Sequence, residues 1–435
     1  MTSFIYGTLV GWSAPTLKKL REPDSPIHLT PGEEVQMINA IYLGTLLGTA
    51  PYSLLSAFPI TSWSAIYFAR NASTLLIARF FAGVWGAAAM TIRPIYVAEI
   101  AEPRVRGAAG AFTMVQTTRS RGYVCWDDFR FRCGPLCFDP DDGGNQRGGS
   151  SNLLLTFSLC PESPYYYIMR GRHVVAARTL AWLRGGAPIE SELTSIQTSI
   201  EREAKAGRGY FKKVLSLVTV PANRKAFFIV EVMNFLQRVC GLSCMAAYST
   251  VVLPQQVGPL TADHCTLIIG VVWFLSSLGC STLVDKLGRK PLLYVSSIGI
   301  LASMLPTSVW YYLDKETAID VTWINWVPLA GFLLFGVTVN MFPSNLKAEA
   351  SALTIMTVSV SSSVSIAVFA LLTVHVGLYA NFLVFAAVGV VNWVFTYFCV
   401  IETKGKSLQV IQDELHGGTH GKPQKNNHSD EKLTI

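Results

Sequence analysis

A few polar side chains interrupt otherwise apolar stretches of the sequence. Gln237 lies within such a stretch, and its amide can both donate and accept hydrogen bonds. A buried amide in an apolar environment is costly without a partner or a function, so Gln237 is a candidate for binding a polar ligand. Glu231 and Arg238 interrupt the same stretch with charge.

Residue patterns typical of catalysis are missing from the sequence. It contains no Ser/His/Asp arrangement and no glycine-rich phosphate loop. The nine cysteines are scattered, and the spacing Cys133-x3-Cys137 has no second pair to complete a metal site. Glu231 is the strongest candidate for the carboxylate that an enzyme in the membrane would need. Pairing of Glu231 with a neighbouring polar group is the favoured interpretation. We expect no enzyme, no cofactor and no metal.

Long uncharged stretches indicate an all-α membrane protein. Only 14% of the residues are charged, against about 25% in soluble domains. A hydrocarbon layer about 30 Å thick needs about 20 apolar residues per helix. Because the stretches are continuous rather than alternating, helices are expected instead of barrel strands. The predicted spans are 73–92, 226–253, 266–284, 291–313, 323–341, 351–374 and 376–400.

Charge is concentrated between these spans and in the tail. The net charge of +7 does not indicate a nucleic-acid partner here, because basic residues near helix ends retain those ends in the cytoplasm. By this tendency the basic turn 285–290 is cytoplasmic and the acidic turn 314–320 is outside. Residues 189–205 carry isoleucine and leucine at helical spacing, which predicts an amphipathic helix that either covers a neighbouring surface or takes part in gating.

The two halves of the chain contain matching landmarks. Arg106 precedes Glu162 by 56 residues in the first half, and Lys347 precedes Glu402 by 55 in the second. Parallel repeats of this kind build two bundles with a substrate path between them.

Five motifs in order then carry a resemblance to a known family. The first is Arg79-x3-Gly83 followed by a run from Pro94 to Gly107, and the others are Pro161–Pro164, Asp285–Lys290, Phe342–Lys347 and Glu402–Gly405. Together they resemble the sugar porter family of the major facilitator superfamily. The amino-acid sequences of the loops most resemble those of the insect trehalose-transporter branch.

The resemblance implies a fold and an activity. The fold is two six-helix bundles related by pseudo-two-fold symmetry, the first of them incomplete. The activity is facilitative transport of a sugar, trehalose or a hexose such as glucose, by alternating access. The expected domains are an N-terminal bundle at 1–164 with an aberrant polar block at 117–150, a cytoplasmic linker at 165–225, a C-terminal bundle at 226–401 and a cytoplasmic tail at 402–435.

Charged residues near helix ends are expected to form an inner gate. Partly exposed ion pairs contribute only about 0–1 kcal/mol each, so they can break and reform during transport. Topology anchoring is the alternative role for each residue. The expected members are Arg79, Glu99, Arg106, Glu162, Asp285, Arg289, Lys290, Lys347 and Glu402.

The substrate contacts implied by the resemblance lie on the helix that contains Gln237. They are Gln237, Gly241, Ser243 and Tyr248. The family usually has glutamine where Arg238 stands and asparagine where Ser243 stands. Arg238 and Arg93 therefore place permanent charges toward the expected cavity, where most family members are neutral.

Three places depart from the family pattern. Residues 35–69 carry no charge, which indicates a deletion near 51–56, and Met341 runs directly into Phe342 without the segment expected there, a second deletion at 340–342. The block 117–150 keeps its length but is too charged to insert as two helices. We hypothesise a reading-frame slip, because Phe-Arg-Phe-Arg at 129–132 read one base later can encode Phe-Val-Phe-Val. An intact frame in the transcript would end this hypothesis.

The remaining expectations concern location and the alternative function. A multi-pass plasma-membrane protein with both termini in the cytoplasm is expected, embedded in lipid and monomeric. Asn71-Ala-Ser73 is a glycosylation sequon in an outside loop. The absence of Asp and Glu from the first helix favours uniport over proton symport. The alternative is a non-transporting homologue, either a sensor or the product of a defective gene or gene model.

Overall fold

The computed structural model is built almost entirely of helices. It describes residues 12–21, 25, 27–48, 62, 65–66, 69–102, 161–186, 188–205, 221–317, 319, 321–341, 351–400 and 402. The polar block 117–150, the predicted deletion near 51–56 and the residues from Phe342 to Ala350 lie outside this range.

The described residues of the N-terminal half include three helices with assigned bounds: α1 (Ser13–Leu20), α2 (Pro31–Leu47) and α3 (Ala72–Ile100). The start of α2 is set by a capping box. The Thr30 hydroxyl accepts from the backbone N–H of Glu33, and the Glu33 carboxylate accepts from the backbone N–H of Thr30 at 2.8 Å. The helix α3 contains the predicted span 73–92 and continues beyond it.

Glycines allow α2 and α3 to pack with their backbones in contact. A Cβ atom added at Gly44 would lie 2.0 Å from the carbonyl oxygen of Phe80, and one at Gly83 would lie 1.9 Å from that of Ile41. Gly48, one turn after Gly44, approaches Val84 in the same way. In lipid, where apolar burial does not drive association, van der Waals contact of this kind is one of the forces that hold helices together.

The predicted amphipathic segment forms part of a small three-helix unit, α4 (Pro164–Met169), α5 (His173–Leu183) and α6 (Glu190–Lys205). Ile196 of α6 is buried against Ile168, Ala176 and Leu180. The apolar face of α6 therefore covers its neighbours, one of the two roles that the pattern predicted.

The C-terminal half contains the helices expected from hydropathy. They are α7 (Pro221–Gln237), continued through a π-helical turn (Arg238–Leu242) into α8 (Ser243–Val252), then α9 (Ala262–Leu287), α10 (Arg289–Glu316), α11 (Trp326–Asn340), α12 (Ser351–His375) and α13 (Leu378–Cys399). A two-stranded hairpin, β1 (Gln256–Val257) and β2 (Leu260–Thr261), precedes α9, and a 3-10 turn (Thr322–Ile324) precedes α11.

Five stretches of the described chain are long and apolar enough to cross a membrane, judged by length and composition. They are Arg224–Val252, Lys290–Glu316, Thr322–Asn340, Leu353–His375 and Leu378–Cys399.

The helices of this half alternate in direction, which gives the bundle two distinct ends. At one end the Glu402 carboxylate accepts a hydrogen bond from the backbone N–H of Lys290; we name this the Gly288 end. At the other, the Tyr311 hydroxyl donates to the carbonyl of Val252 at 2.6 Å, and Gly377 lies beside Glu316; we name this the Thr317 end. The two halves of the chain meet at the Thr317 end, where the Thr250 hydroxyl donates to the carbonyl of Ala14 at 2.6 Å.

Aromatic packing and buried polar pairs hold the C-terminal helices together. Tyr311 stacks on Phe382 with ring centroids 5.0 Å apart, so α10 and α13 are joined near the Thr317 end. Asn392 donates to Ser297 at 2.7 Å, which joins the same two helices further along. Hydrogen bonds of this kind between membrane helices contribute about 0.6 kcal/mol on average.

Candidate functional site

Gln237 lies at a break in the longest apolar stretch of the C-terminal half. It is the last residue of α7 and is 9% exposed. Its Nε2 donates to the carbonyl of Val339 on α11 at 3.4 Å, which is long for an N–H···O hydrogen bond. Because that bond is weak, the amide can exchange it for a stronger bond to a ligand.

The break itself is caused by Gly241. Its φ is 103°, a conformation that L-residues with side chains rarely adopt, and a Cβ there would lie 2.6 Å from the Phe385 ring. The resulting π-helical turn separates α7 from α8. Turns of this kind inside helices are frequent at functional sites.

Ser243 is buried and already has a partner within the protein. Its hydroxyl lies 2.9 Å from the hydroxyl of Ser362 on α12, and the next residue, Cys244, lies 3.4 Å from Ser365. These contacts join α8 to α12. The role of Ser243 as a substrate contact therefore stays a prediction.

Tyr248 is buried near the Thr317 end. Its ring stacks on Phe369 of α12 with centroids 5.1 Å apart. Gln237 and Tyr248 are about 16 Å apart along the helix, at about 1.5 Å per residue. The four predicted contacts thus follow one kinked helix from the middle of the bundle toward the Thr317 end.

An ion pair beside Tyr248 was not found from the sequence. Arg21, just after α1, donates through Nε and Nη2 to the two carboxylate oxygens of Glu34 at 2.9 and 2.6 Å. Hydrogen bonding to Glu34 raises the pKa of Arg21. The Tyr248 side chain is close enough to interact electrostatically with the same guanidinium. The only sequence signal was a pair of opposite charges flanking the short loop between α1 and α2.

Breaking this pair is expected to cost about 1 kcal/mol of stability, because the contact is bidentate but Arg21 is 46% exposed on its side chain. Thermal unfolding of Arg21→Ala, Glu34→Ala and the double variant measures the coupling energy. Lys315→Ala, which removes an exposed 3.4 Å pair with Asp314, is the control and is expected to change little. Additive single-variant effects would contradict the expectation.

Two of the predicted gate residues come together at the Gly288 end. Glu402 Oε2 accepts from the backbone N–H of Lys290 at 2.9 Å, in the first turn of α10. Gly288 has a φ of 92°, and a Cβ there would lie 2.9 Å from the Glu402 carboxylate. A carboxylate at this position stabilises the helix because the exposed N–H groups and the helix dipole carry positive charge. The Lys290 ammonium donates to the carbonyl of Tyr397 at 3.3 Å.

Glu402→Ala is expected to destabilise the start of α10 by about 1 kcal/mol through loss of this cap. Hydrogen–deuterium exchange of the backbone amide of Lys290 is the direct measurement. Faster exchange in Glu402→Ala and a smaller change in Glu402→Gln is the expected order, because glutamine keeps an acceptor and loses the charge. Equal exchange in all three proteins would show that the cap contributes nothing.

Two further predicted gate residues meet at the C-terminal end of α3. The Glu99 carboxylate accepts a hydrogen bond from Ser163 and interacts electrostatically with the nearby carboxylate of Glu162. The hydroxyl of Tyr96 donates to the carbonyl of Pro161 at 2.8 Å, which fixes this segment to α3. Arg106 and Lys347, and the side chains of Asp285 and Arg289, lie outside the described residues, as does the side chain of Arg93.

Arg79 lies apart from that group. It is fully buried, donates to the Ser13 hydroxyl and lies with its guanidinium 4.9 Å from the ring centroid of Trp12. Arg79 and Glu99 are separated by about 30 Å along the unbroken helix α3. They therefore cannot belong to one cluster, and Arg79 instead connects α3 to α1, in the half of the bundle nearer the Thr317 end.

The turn between α5 and α6 is fastened to α3 by an arginine that sequence reasoning missed. Arg184 donates to both carboxylate oxygens of Glu192, at 2.8 and 2.6 Å, and to the carbonyl of Ile100 at 3.0 Å. Hydrogen bonding to Glu192 raises the pKa of Arg184, so the guanidinium remains charged. A cation at the C-terminal carbonyls of α3 is also favoured by the helix dipole.

Arg184→Ala is expected to release the three-helix unit from α3. Limited proteolysis within 165–205 measures this as a faster cleavage rate, with Arg178→Ala as the control because Arg178 is exposed on the same unit. Unchanged cleavage would mean that the apolar contacts alone hold the unit in place.

Apolar helices in two halves, with a buried amide at a kink in the first helix of the second half, are the features of a membrane carrier of the major facilitator fold. Solved structures confirm the fold. The xylose transporter XylE from E. coli, in a partially occluded inward open conformation, gives a TM-score of 0.73 at 18% identity over 94% of this chain and 98% of that chain. XylE bound to 6-bromo-6-deoxy-D-glucose gives 0.69 at 19% identity over 95% and 98%.

The chain belongs to the family described as "Sugar (and other) transporter", which matches residues 150–415. The facilitated trehalose transporter Tret1 of Anopheles gambiae is 28% identical over 404 residues, 86% of this chain. The chain spans about half, 48%, of that relative's length. Tret1 of Apis mellifera ligustica is 26% identical over 460 residues, covering 96% of this chain and 86% of that protein. The family is one of multi-pass membrane transporters rather than enzymes.

Proposed function

We propose that this protein carries a sugar, trehalose or a hexose such as glucose, across the plasma membrane by facilitated diffusion and alternating access. The observation that supports this most directly is Gln237, a buried amide at the kink between α7 and α8 that makes one long hydrogen bond. The trehalose transporters among the relatives support the substrate class.

Alternating access requires contacts between the halves that can break and reform. The hydrogen bond from Thr250 to the carbonyl of Ala14 is one such contact at the Thr317 end. At the Gly288 end we assign the same role to Glu99, Glu162 and Glu402, to Lys290, and to four residues whose side chains lie outside the described part: Arg106, Asp285, Arg289 and Lys347. Arg79 is excluded from this set and holds α1 to α3.

The orientation follows from the charge of the turns. We place the Gly288 end, the linker 165–225 and both termini in the cytoplasm, and the Thr317 end outside. Asn71, exposed just before α3, is then the outside glycosylation site. The protein acts as a monomer whose two bundles, 1–164 and 226–401, move against each other, and the tail 402–435 is cytoplasmic.

Uptake of labelled trehalose and glucose into a transporter-null cell tests the proposal. Saturable uptake of either sugar, unaffected by an imposed proton gradient, is the expected result. Surface expression without uptake would instead favour a non-transporting homologue.

A further inference from the structure

Among the residues that the structure describes, two neighbouring side chains of α7 each keep one buried polar atom without a hydrogen-bond partner. These atoms are Oε2 of Glu231, an acceptor, and Nδ2 of Asn234, a donor. The other carboxylate oxygen of Glu231 accepts from the Thr354 hydroxyl on α12 at 2.6 Å, so the side chain is anchored. Asn234 is only 6% exposed. Buried polar atoms in native proteins are nearly always satisfied, by protein, water or ligand.

The pair lies on the side of Gln237 that faces the Gly288 end. Met233 packs with Leu293, near the start of α10, whereas α8 reaches the Thr317 end at Val252. Glu231, Asn234 and Gln237 therefore follow one another at intervals of one helical turn, about 4.5 Å along the axis each. Asn234 and then Glu231 lie between Gln237 and the Gly288 end along α7.

The chemistry of the two atoms selects a hydroxyl group. A hydroxyl can donate to the Glu231 oxygen and accept from the Asn234 amide, and a sugar carries several hydroxyls close together. A cation would meet the amide donor of Asn234 and, one turn beyond, the charge of Arg238. An anion would be repelled by Glu231. The site therefore fits a neutral polyol better than an ion.

We infer that Glu231 and Asn234 form a second hydroxyl-binding subsite, on the cytoplasmic side of Gln237, that receives the sugar before its release. The inference rests on the proposed function and on the orientation given above. Glu231 and Asn234 are then specificity-determining residues for binding from the cytoplasmic face.

The test uses the full chain reconstituted in liposomes, with glucose and trehalose applied separately to each face. Glu231→Gln keeps the shape and the contact to Thr354 but loses the charge, and Asn234→Leu removes the donor at similar volume. Each is expected to weaken apparent affinity at the cytoplasmic face about tenfold, with less than about a twofold change at the outer face. Phe228→Leu, an exposed position on the same helix, is the control and should leave both affinities unchanged. Equal melting temperatures establish that the variants are folded.

Monodeoxy analogues of the transported sugar identify the bond itself. One analogue should bind the wild-type protein about tenfold more weakly, yet lose no further affinity in Asn234→Leu, because the hydroxyl and its partner are missing together. Unchanged cytoplasmic affinity in both variants would show that water satisfies the two atoms and would overturn the inference. The inference would also be overturned if the Glu231→Gln protein keeps its affinity and loses only a dependence of uptake on protons. A wild-type protein that binds and moves neither sugar would instead refute the proposed function.

Discussion

Gly83→Leu is expected to leave little folded protein at the cell surface. A Cβ at this position would lie 1.9 Å from the carbonyl oxygen of Ile41, and the atom in its way belongs to the backbone of α2 and not to a flexible side chain. The two helices would have to separate along a contact that includes Gly44 and Gly48. Overpacking costs about 1–3 kcal/mol or more, and a backbone clash places leucine here at the upper end, a large part of a typical stability of about 5–15 kcal/mol.

The measurement compares surface expression and thermal unfolding of Gly83→Ala and Gly83→Leu with Gly279→Ala. Gly279 also lies in an apolar helix, α9, but no atom of the described residues lies within 4 Å of the Cβ position. Gly279→Ala is expected to be neutral or to stabilise by up to about 1 kcal/mol, because alanine reduces the entropy of the unfolded chain. If Gly83→Leu unfolds at the wild-type temperature, the close packing of α2 and α3 is refuted.

Gln237→Leu is expected to reduce sugar uptake about 10- to 100-fold at low sugar concentration, with normal expression at the surface. Leucine has nearly the volume of glutamine but neither donates nor accepts hydrogen bonds, so sugar hydroxyls would lose their partner in a buried site. Stability should change by about 1 kcal/mol or less, because the bond to Val339 is 3.4 Å long. The fall in uptake should therefore greatly exceed any effect on folding.

Initial uptake rates across a range of sugar concentrations measure this effect. Gln255→Leu is the matched control, since Gln255 is exposed in the loop after α8. Wild-type uptake by Gln237→Leu, together with a lower melting temperature, would assign Gln237 a structural role and remove the main support for the substrate site.

Local sequence was sufficient for the helices of the C-terminal half. Hydropathy over about 20 residues is a property of a continuous segment, so the predicted spans from 226–253 to 376–400 coincide with observed helical segments, although Gly241 divides the first span into α7 and α8. The amphipathic pattern around Ile196 predicted α6 for the same reason. The ordered motifs were sufficient for the family, because they are short patterns that can be read without coordinates.

Contacts between distant segments could only come from the tertiary structure. Arg79 and Glu99 both carry charge near an apolar span, and nothing in the sequence shows that one unbroken helix keeps them about 30 Å apart. The partners of Arg184 and Glu231, namely the carbonyl of Ile100 and the Thr354 hydroxyl, are 84 and 123 residues away along the chain. The sequence by itself determined the helices and the family; the packing of helices remote in sequence decided which of the described polar atoms are paired with one another.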